Sequence, residues 1–243
     1  MNPAPLLRVE HLCAWYGAAQ VLHGVELEVG RGEVVALMGR NGAGKSSTMK
    51  SLIGMGLRRS GAITFVGHDL SRCEPHEPAR LGLGFVPEDR RIFTDLTVLE
   101  NLEVGRQTAR RWPDGSAAPL WSVERVFALF PALAALRHRR GAHMSGGEQQ
   151  MLSIARTLMG QPFMLLLDEP TEGVAPIILD QLAHMIKALK AQGVSMLLSE
   201  QNLPFAARVS DRAYVLEKGV VRFHGSMQAL QADTRAWHAF LGI

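Results

Sequence analysis

The nine residues Gly39-Arg40-Asn41-Gly42-Ala43-Gly44-Lys45-Ser46-Ser47 fit the spacing G-x-x-x-x-G-K-[ST], between an apolar run and a helical pattern. That combination can hold a nucleoside triphosphate. The glycines let successive backbone N–H groups converge on phosphate oxygens, Lys45 brings a point charge to the β and γ phosphates, and the Ser46 hydroxyl can ligate Mg²⁺. A helix starting at about Lys45 would add its positive end to the same anion. Gly39, Asn41, Gly42, Gly44, Lys45, Ser46 and Ser47 are therefore the expected nucleotide contacts. The plain alternative is a glycine-rich turn without a ligand, which the flanking strand and helix patterns disfavour.

Two more segments carry chemistry. Phe163-Met164-Leu165-Leu166-Leu167-Asp168-Glu169 is an apolar run ending in two carboxylates, suited to a buried strand that delivers Asp168 to Mg²⁺ and Glu169 to a water. Met144-Ser145-Gly146-Gly147-Glu148-Gln149-Gln150 places a serine and two glycines where a helix begins, a second anion site. Standing alone, that second segment reads more readily as a helix-capping turn.

The order of phosphate loop, Ser-Gly-Gly helix and Asp-Glu strand resembles the ATP-binding cassette (ABC) ATPases over essentially the whole chain. The resemblance implies an α/β fold: a phosphate-loop NTPase core of ABC type, with a small antiparallel β-subdomain and a helical subdomain. It implies one domain over residues 1–243, with the core in 1–94 and 160–243 and the helical subdomain in 95–159. Tyr16 matches the aromatic that stacks on adenine, although a surface tyrosine without a ligand would look the same. Glu169 matches the general base for the attacking water. Ser145 and Gly147 match residues that meet the γ-phosphate bound to a partner subunit, so a lone cassette would be incomplete and would pair head to tail.

Two positions depart from the family pattern. Glu88 stands where a glutamine usually joins the core to the helical region; it could still hold Mg²⁺ or water but cannot donate a hydrogen bond. Gln201 stands where a histidine usually contacts the γ-phosphate, and it cannot carry an imidazolium charge. With them, Val86–Phe93, Glu172-Gly173-Val174-Ala175-Pro176 and Ser199-Glu200-Gln201-Asn202 resemble the LivF-type ATP-binding subunits of bacterial branched-chain amino acid importers. Near relatives in that group serve urea, short amides or aromatic acids.

The implied cofactors are ATP and Mg²⁺. The implied partners are a second ABC ATPase subunit, in particular a different, LivG-like chain whose site carries more of the hydrolysis; two transmembrane permease subunits; and indirectly a periplasmic solute-binding protein. The docking groove is expected between the core and the helical region, with Glu88–Phe93 on its wall. The implied location is the cytoplasmic side of the inner membrane, peripherally. The rivals are a soluble cassette ATPase of translation or DNA repair, and a regulatory subunit that hydrolyses ATP poorly.

Composition fits this reading. The 243 residues suit one large α/β domain, and the longest apolar runs fall well short of the roughly 18 residues that span a bilayer. Met1–Leu7 lacks the pattern of a secretory signal, and Cys13 and Cys73 have no metal-ligand spacing, as expected of reduced cytosolic thiols. With 26 Lys and Arg against 23 Asp and Glu, the net charge of +3 gives no sign of nucleic acid as a partner. The clusters at Arg90-Arg91, Arg106–Arg111 and Arg137–Arg140 read as solvated faces.

The elements that must position these residues follow from periodicity. Strands are expected at Leu6–Trp15, Val21–Val29, Val34–Met38, Ala62–Val66 and Val194–Ser199, the first part forming a small mixed sheet beside the nucleotide-binding core. Tyr214–Glu217 and Val220–Phe223 form a hairpin around Lys218-Gly219. Gly84-Phe85-Val86-Pro87 leads into the mainly helical stretch Asp95–Met159, in which Thr97–Glu100 is a capping box and Ser122 caps a helix ending before Pro131. Gly105–Trp121, with Pro113, Gly115 and Pro119, is expected to be an exposed loop.

Overall fold

Val34-Val35-Ala36-Leu37-Met38 is buried at every position, which requires a strand covered on both faces. In the computed structural model, which describes residues 4–232, its side chains alternate between two separate cores. Val34, Ala36 and Met38 face one, Val35 and Leu37 the other. Residues 1–3, the start of the Met1–Leu7 segment considered above, and residues 233–243 lie outside the described residues.

The chain runs β1 (Leu7–Tyr16), β2 (Ala19–Val29), β3 (Val34–Met38), α1 (Lys45–Leu52), β4 (Arg58–Phe65), β5 (His68–Asp69), α2 (Glu77–Arg80), β6 (Leu83–Val86) and α3 (Val98–Gly105). It continues through α4 (Val123–Leu129), α5 (Pro131–Ala135), α6 (Gly146–Met159), β7 (Met164–Asp168), α7 (Pro176–Ala191) and β8 (Ser195–Glu200). The described part ends with α8 (Leu203–Val209), β9 (Arg212–Glu217), β10 (Val220–Ser226) and α9 (Met227–Ala232).

One sheet has the order β10-β9-β3-β8-β7-β6, parallel except for the edge strand β10. The other, β2-β1-β4-β5, is antiparallel throughout, which corrects the mixed sheet expected from strand spacing. Helix α1 packs between the sheets through Met49 and Leu52, while α3 to α8 cover the opposite face of the parallel sheet. The order of the central strands reverses beside β3. Ligands of open α/β sheets bind at the carboxyl ends of strands around such a point. Here those ends are Met38, Val86, Asp168 and Glu200, each followed directly by a segment singled out above.

Two expectations need correction. Gly84-Phe85-Val86 is not a simple entry to the helices but part of the edge strand β6, paired in parallel with β7. Its shortness and its glycine hid it, yet a Cβ at Gly84 would lie 2.8 Å from Thr157 Cγ2 and 2.9 Å from Leu165 Cδ2, so the close packing of α6 on the sheet demands glycine. After Gly105, which ends α3, the segment to Trp121 lacks regular structure beyond an isolated Arg111–Ala117 bridge, but it is anchored rather than simply exposed. Trp112 and Trp121 are 5% and 2% exposed; Trp112 stacks on Phe163 at 4.4 Å beneath the Arg31 guanidinium. Turn-forming residues mark a loop, but they say nothing of tryptophans that tie it down. The Thr97 capping box, the Ser122 cap and the hairpin at Lys218-Gly219 all form as expected.

Candidate functional site

The phosphate loop leaves the end of β3 and its shape depends on glycine. Gly39 has φ +157° and a Cβ there would meet Leu216 O at 2.5 Å; Gly44 has φ +109° and its Cβ would meet Leu22 Cδ2 at 2.8 Å. The loop thus threads between the ends of β2 and β9, and Gly219 N–H donates to Ala43 O to hold it there. Helix α1 begins at Lys45, as expected, with no side-chain cap hydrogen bond at Gly44.

A cavity of about 450 Å³ opens on this loop, lined by Tyr16, Val21, Asn41, Gly42, Gly44, Lys45, Ser46, Ser47, Glu88, Glu169 and Glu172. Tyr16 ends β1 and is 45% exposed. The Lys45 ammonium is buried and threefold held, donating to Gly39 O at 2.8 Å and Arg40 O at 3.2 Å and pairing with Glu169 Oε1 at 3.0 Å. Gln201 Nε2 donates to Glu169 Oε2 at 2.9 Å and to Asn41 Oδ1 at 2.6 Å. The glutamine at the departure from the family pattern therefore bridges the loop and the carboxylate of β7.

Asp168 is buried at the end of β7. Its Oδ1 accepts from Ser46 Oγ at 3.0 Å and Ser199 Oγ at 2.7 Å, and Ser199 Oγ in turn accepts from Glu169 N–H at 2.9 Å. Burial pushes the Asp168 carboxyl above its ordinary value, and the Glu169 charge adds to this against the two serine hydrogen bonds. Such a group gains when a cation sits on it. The pair of oxygens, Ser46 Oγ and Asp168 Oδ1, is the donor type a hard divalent cation prefers, so Mg²⁺ fits here.

Glu169 adopts φ +46°, a left-handed conformation that a non-glycine residue keeps only where its surroundings enforce it. Burial acts to raise its carboxyl, but the hydrogen bonds from Gln201 and Lys45 and the Lys45 charge outweigh burial and hold it below the usual range. Glu172, hydrogen-bonded to the Glu169 side chain, is raised by that contact, by burial and by the charges of Glu169 and Glu88. Glu88 shares the cavity wall with these carboxylates.

Ser145 and Gly147 do not line this cavity. Ser145 caps α6: its hydroxyl accepts from Glu148 N–H while Glu148 Oε2 accepts from Ser145 N–H. Gly147 is covered by Ile178, whose Cγ1 would lie 2.8 Å from an added Cβ.

Several site residues escaped sequence reasoning. Ser199 and Glu200 lay inside a quoted motif without a role, and Glu172 inside another; only the Asp168–Ser199 register of β7 and β8 brings Ser199 to the Asp168 carboxylate. A larger cavity, about 720 Å³, lies between β6, α3 and α6, with Phe85, Arg91, Phe93, Val104 and Arg156 on its wall. This cavity lies where the docking groove is expected, but Glu88 lines the smaller cavity at the phosphate loop while Arg91 and Phe93 line the larger one. Among the described residues, no helix is long and apolar enough to cross a membrane.

The ABC transporter family model matches residues 22–172. The chain is 41% identical over 237 residues to the high-affinity branched-chain amino acid transport ATP-binding protein BraG of Pseudomonas aeruginosa, covering 98% of this chain and 100% of the relative. It is 33% identical to the lipopolysaccharide export ATP-binding protein LptB of Escherichia coli K12, covering 97% of each. A solved nucleotide-free ATP-binding cassette from an ABC transporter superposes with a TM-score of 0.80 at 27% identity, covering 99% of both chains. The family match spans more than half of the chain and the relatives cover nearly all of it: the chain belongs to the ABC transporter family and is one of its ATP-hydrolysing, ATP-binding subunits.

Proposed function

We propose that this chain powers a bacterial importer of branched-chain amino acids, hydrolysing MgATP at the cavity around Lys45. One observation carries the chemistry: Lys45 and Ser46 after β3, Asp168 and Glu169 at the end of β7 and Gln201 after β8 are joined by an ion pair and hydrogen bonds, with Lys45, Ser46 and Glu169 on the wall of the cavity. The end-to-end similarity to BraG, greater than that to LptB, supports the solute and the direction of transport.

In this reading adenine stacks on Tyr16 and the phosphates lie against the N–H groups of Asn41, Gly42, Gly44, Ser46 and Ser47. Ser46 and Asp168 would hold Mg²⁺, with Glu88 as a further oxygen ligand, and a bound ion would supply positive charge against the β and γ phosphates. Lys45 leaves Glu169 for the phosphates. That exchange removes the cation holding the Glu169 carboxylate acidic, so Glu169 becomes a stronger base as the nucleotide arrives and takes the proton of the attacking water. Gln201 steers Glu169 and reaches the γ-phosphate through its amide.

Ser145 and Gly147 serve the nucleotide of a second cassette, a LivG-like chain, and the groove at Arg91 and Phe93 receives the permease subunits. Residues 95–159 form the helical subdomain and the described residues 4–94 with 160–232 the core. A periplasmic binding protein delivers the solute, and the chain sits peripherally on the cytoplasmic side of the inner membrane.

The test is uptake into proteoliposomes holding the complete transporter. ATP-driven leucine uptake that stops in Glu169→Gln is the expected result. Uptake of urea or a short amide with none of leucine would replace the solute, and an assembly without ATPase activity would overturn the hydrolytic role.

A further inference from the structure

Two turns leave neighbouring strands at the floor of the nucleotide cavity. One follows β7, from Glu169 to Gly173; the other follows β8, through Gln201 and Asn202 into α8. Two hydrogen bonds join them. The inner one, Gln201 Nε2 to Glu169 Oε2 at 2.9 Å, lies at the cavity. The outer one, from Thr171 Oγ1 to Glu200 Oε2 at 2.9 Å, lies behind it, and Asn202 N–H donates to the same Glu200 oxygen at 3.3 Å. Glu169 and Thr171 share one turn, and Glu200 and Gln201 are adjacent in the chain. The two bonds therefore close a ring across the strand ends, and lengthening the outer bond shifts the inner one.

Packing alone does not account for Glu200. It is 2% exposed, its Oε1 has no hydrogen-bond partner among the described residues, and burial together with the Glu169 charge pushes its carboxyl up to about 7. A buried carboxyl with an unpartnered oxygen is expensive, and an apolar side chain would fill the volume without that penalty. What an apolar residue could not do is accept from Thr171 and Asn202 together.

We propose that Glu200 is a positioning residue for ATP hydrolysis: by binding Thr171 it sets the spacing of the two turns that carry Glu169 and Gln201 to the nucleotide. This rests on the assignment of Glu169 as the base. The cavity wall includes Glu169 but neither Thr171 nor Glu200, which is 2% exposed, and the role proposed for this pair needs no contact with the nucleotide. Their effect is on geometry, where a displacement of an ångström in a catalytic group lowers turnover by up to about a hundredfold.

The experiment compares ATPase kcat and KM in the assembled transporter for wild type, Thr171→Val, Thr171→Ser, Glu200→Ala, Glu200→Gln and the double variant Thr171→Val/Glu200→Ala. Thr171→Val and Glu200→Ala are expected to lower kcat about tenfold or more with KM for ATP within about twofold, the signature of lost alignment. Thr171→Ser keeps the donor and Glu200→Gln the acceptor, so both are expected to retain most of kcat. The double variant should be no worse than the poorer single one, because both remove the same bond. Thermal unfolding of each variant separates misfolding from misalignment, and the near-isosteric Thr171→Val keeps the test open where Glu200→Ala unfolds. A wild-type kcat in Thr171→Val, or Glu200→Gln as poor as Glu200→Ala, overturns the proposal. Glu169→Gln in the same assembly separates the two levels: inactive Glu169→Gln beside wild-type Thr171→Val removes only the brace, whereas active Glu169→Gln removes the base assignment and the brace with it.

Discussion

Replacing Glu169 with glutamine disturbs two interactions whose consequences point in opposite directions. Lys45 and Glu169 are 3% and 9% exposed and 3.0 Å apart, so at an effective dielectric constant of ~20 their gross attraction is ~5 kcal/mol. Desolvation offsets most of that. Nucleotide must still separate the pair, and a residual of about 1.4 kcal/mol corresponds to a tenfold change in affinity. Glu169→Gln removes this competition and the carboxylate's repulsion of the γ-phosphate, so ATP is expected to bind about tenfold more tightly. The same substitution deletes the proposed base, so turnover is expected to fall roughly 10²- to 10⁴-fold. Calorimetric titration with MgATP and steady-state ATPase assays measure the two effects separately. Turnover within about twofold of wild type would place the base elsewhere, since a positioned general base contributes far more. Weaker ATP binding would mean that the Lys45–Glu169 pair does not compete with the nucleotide.

Further outcomes follow from the same geometry. Lys45→Ala should abolish tight MgATP binding in calorimetry, because Lys45 is the side-chain cation lining the phosphate cavity. Gly39→Ala puts a Cβ 2.5 Å from Leu216 O and should destabilise the fold by about 1–3 kcal/mol in chemical denaturation, with ATP binding lost alongside. Ser145→Arg should leave ATP binding by the isolated chain nearly unchanged but block hydrolysis in the assembled pair; lost affinity in the isolated chain would contradict action on a partner's nucleotide. Glu200 makes stability pH-dependent. Its carboxyl is raised from 4.5 to about 7 on folding, so the contribution is complete below pH 4.5 and lost as pH rises to about 7. The loss is about 3 kcal/mol, and Glu200→Gln should flatten that part of a denaturation-versus-pH curve. An unchanged slope would show that Glu200 ionises normally.

Local chemistry was legible in the chain itself. A phosphate loop needs glycine at fixed offsets and a lysine at the helix start, and a capping box needs its serine and glutamate three residues apart, so Gly39–Ser47 and Ser145–Glu148 could be read from contiguous residues. The strands Val34–Met38 and Met164–Asp168 were likewise plain, since burial on both faces leaves an unbroken apolar run. Tertiary structure decided which of these segments meet. The register of β7 against β8 puts Ser199 on Asp168, Thr171 against Glu200 and Gln201 against Glu169, and no spacing within one segment encodes it. The same holds for Glu172 beside Glu169, for β6 at the sheet edge and for the buried Trp112. Each depends on contacts between elements far apart in the chain, where packing chooses the partner and the residue type alone permits several.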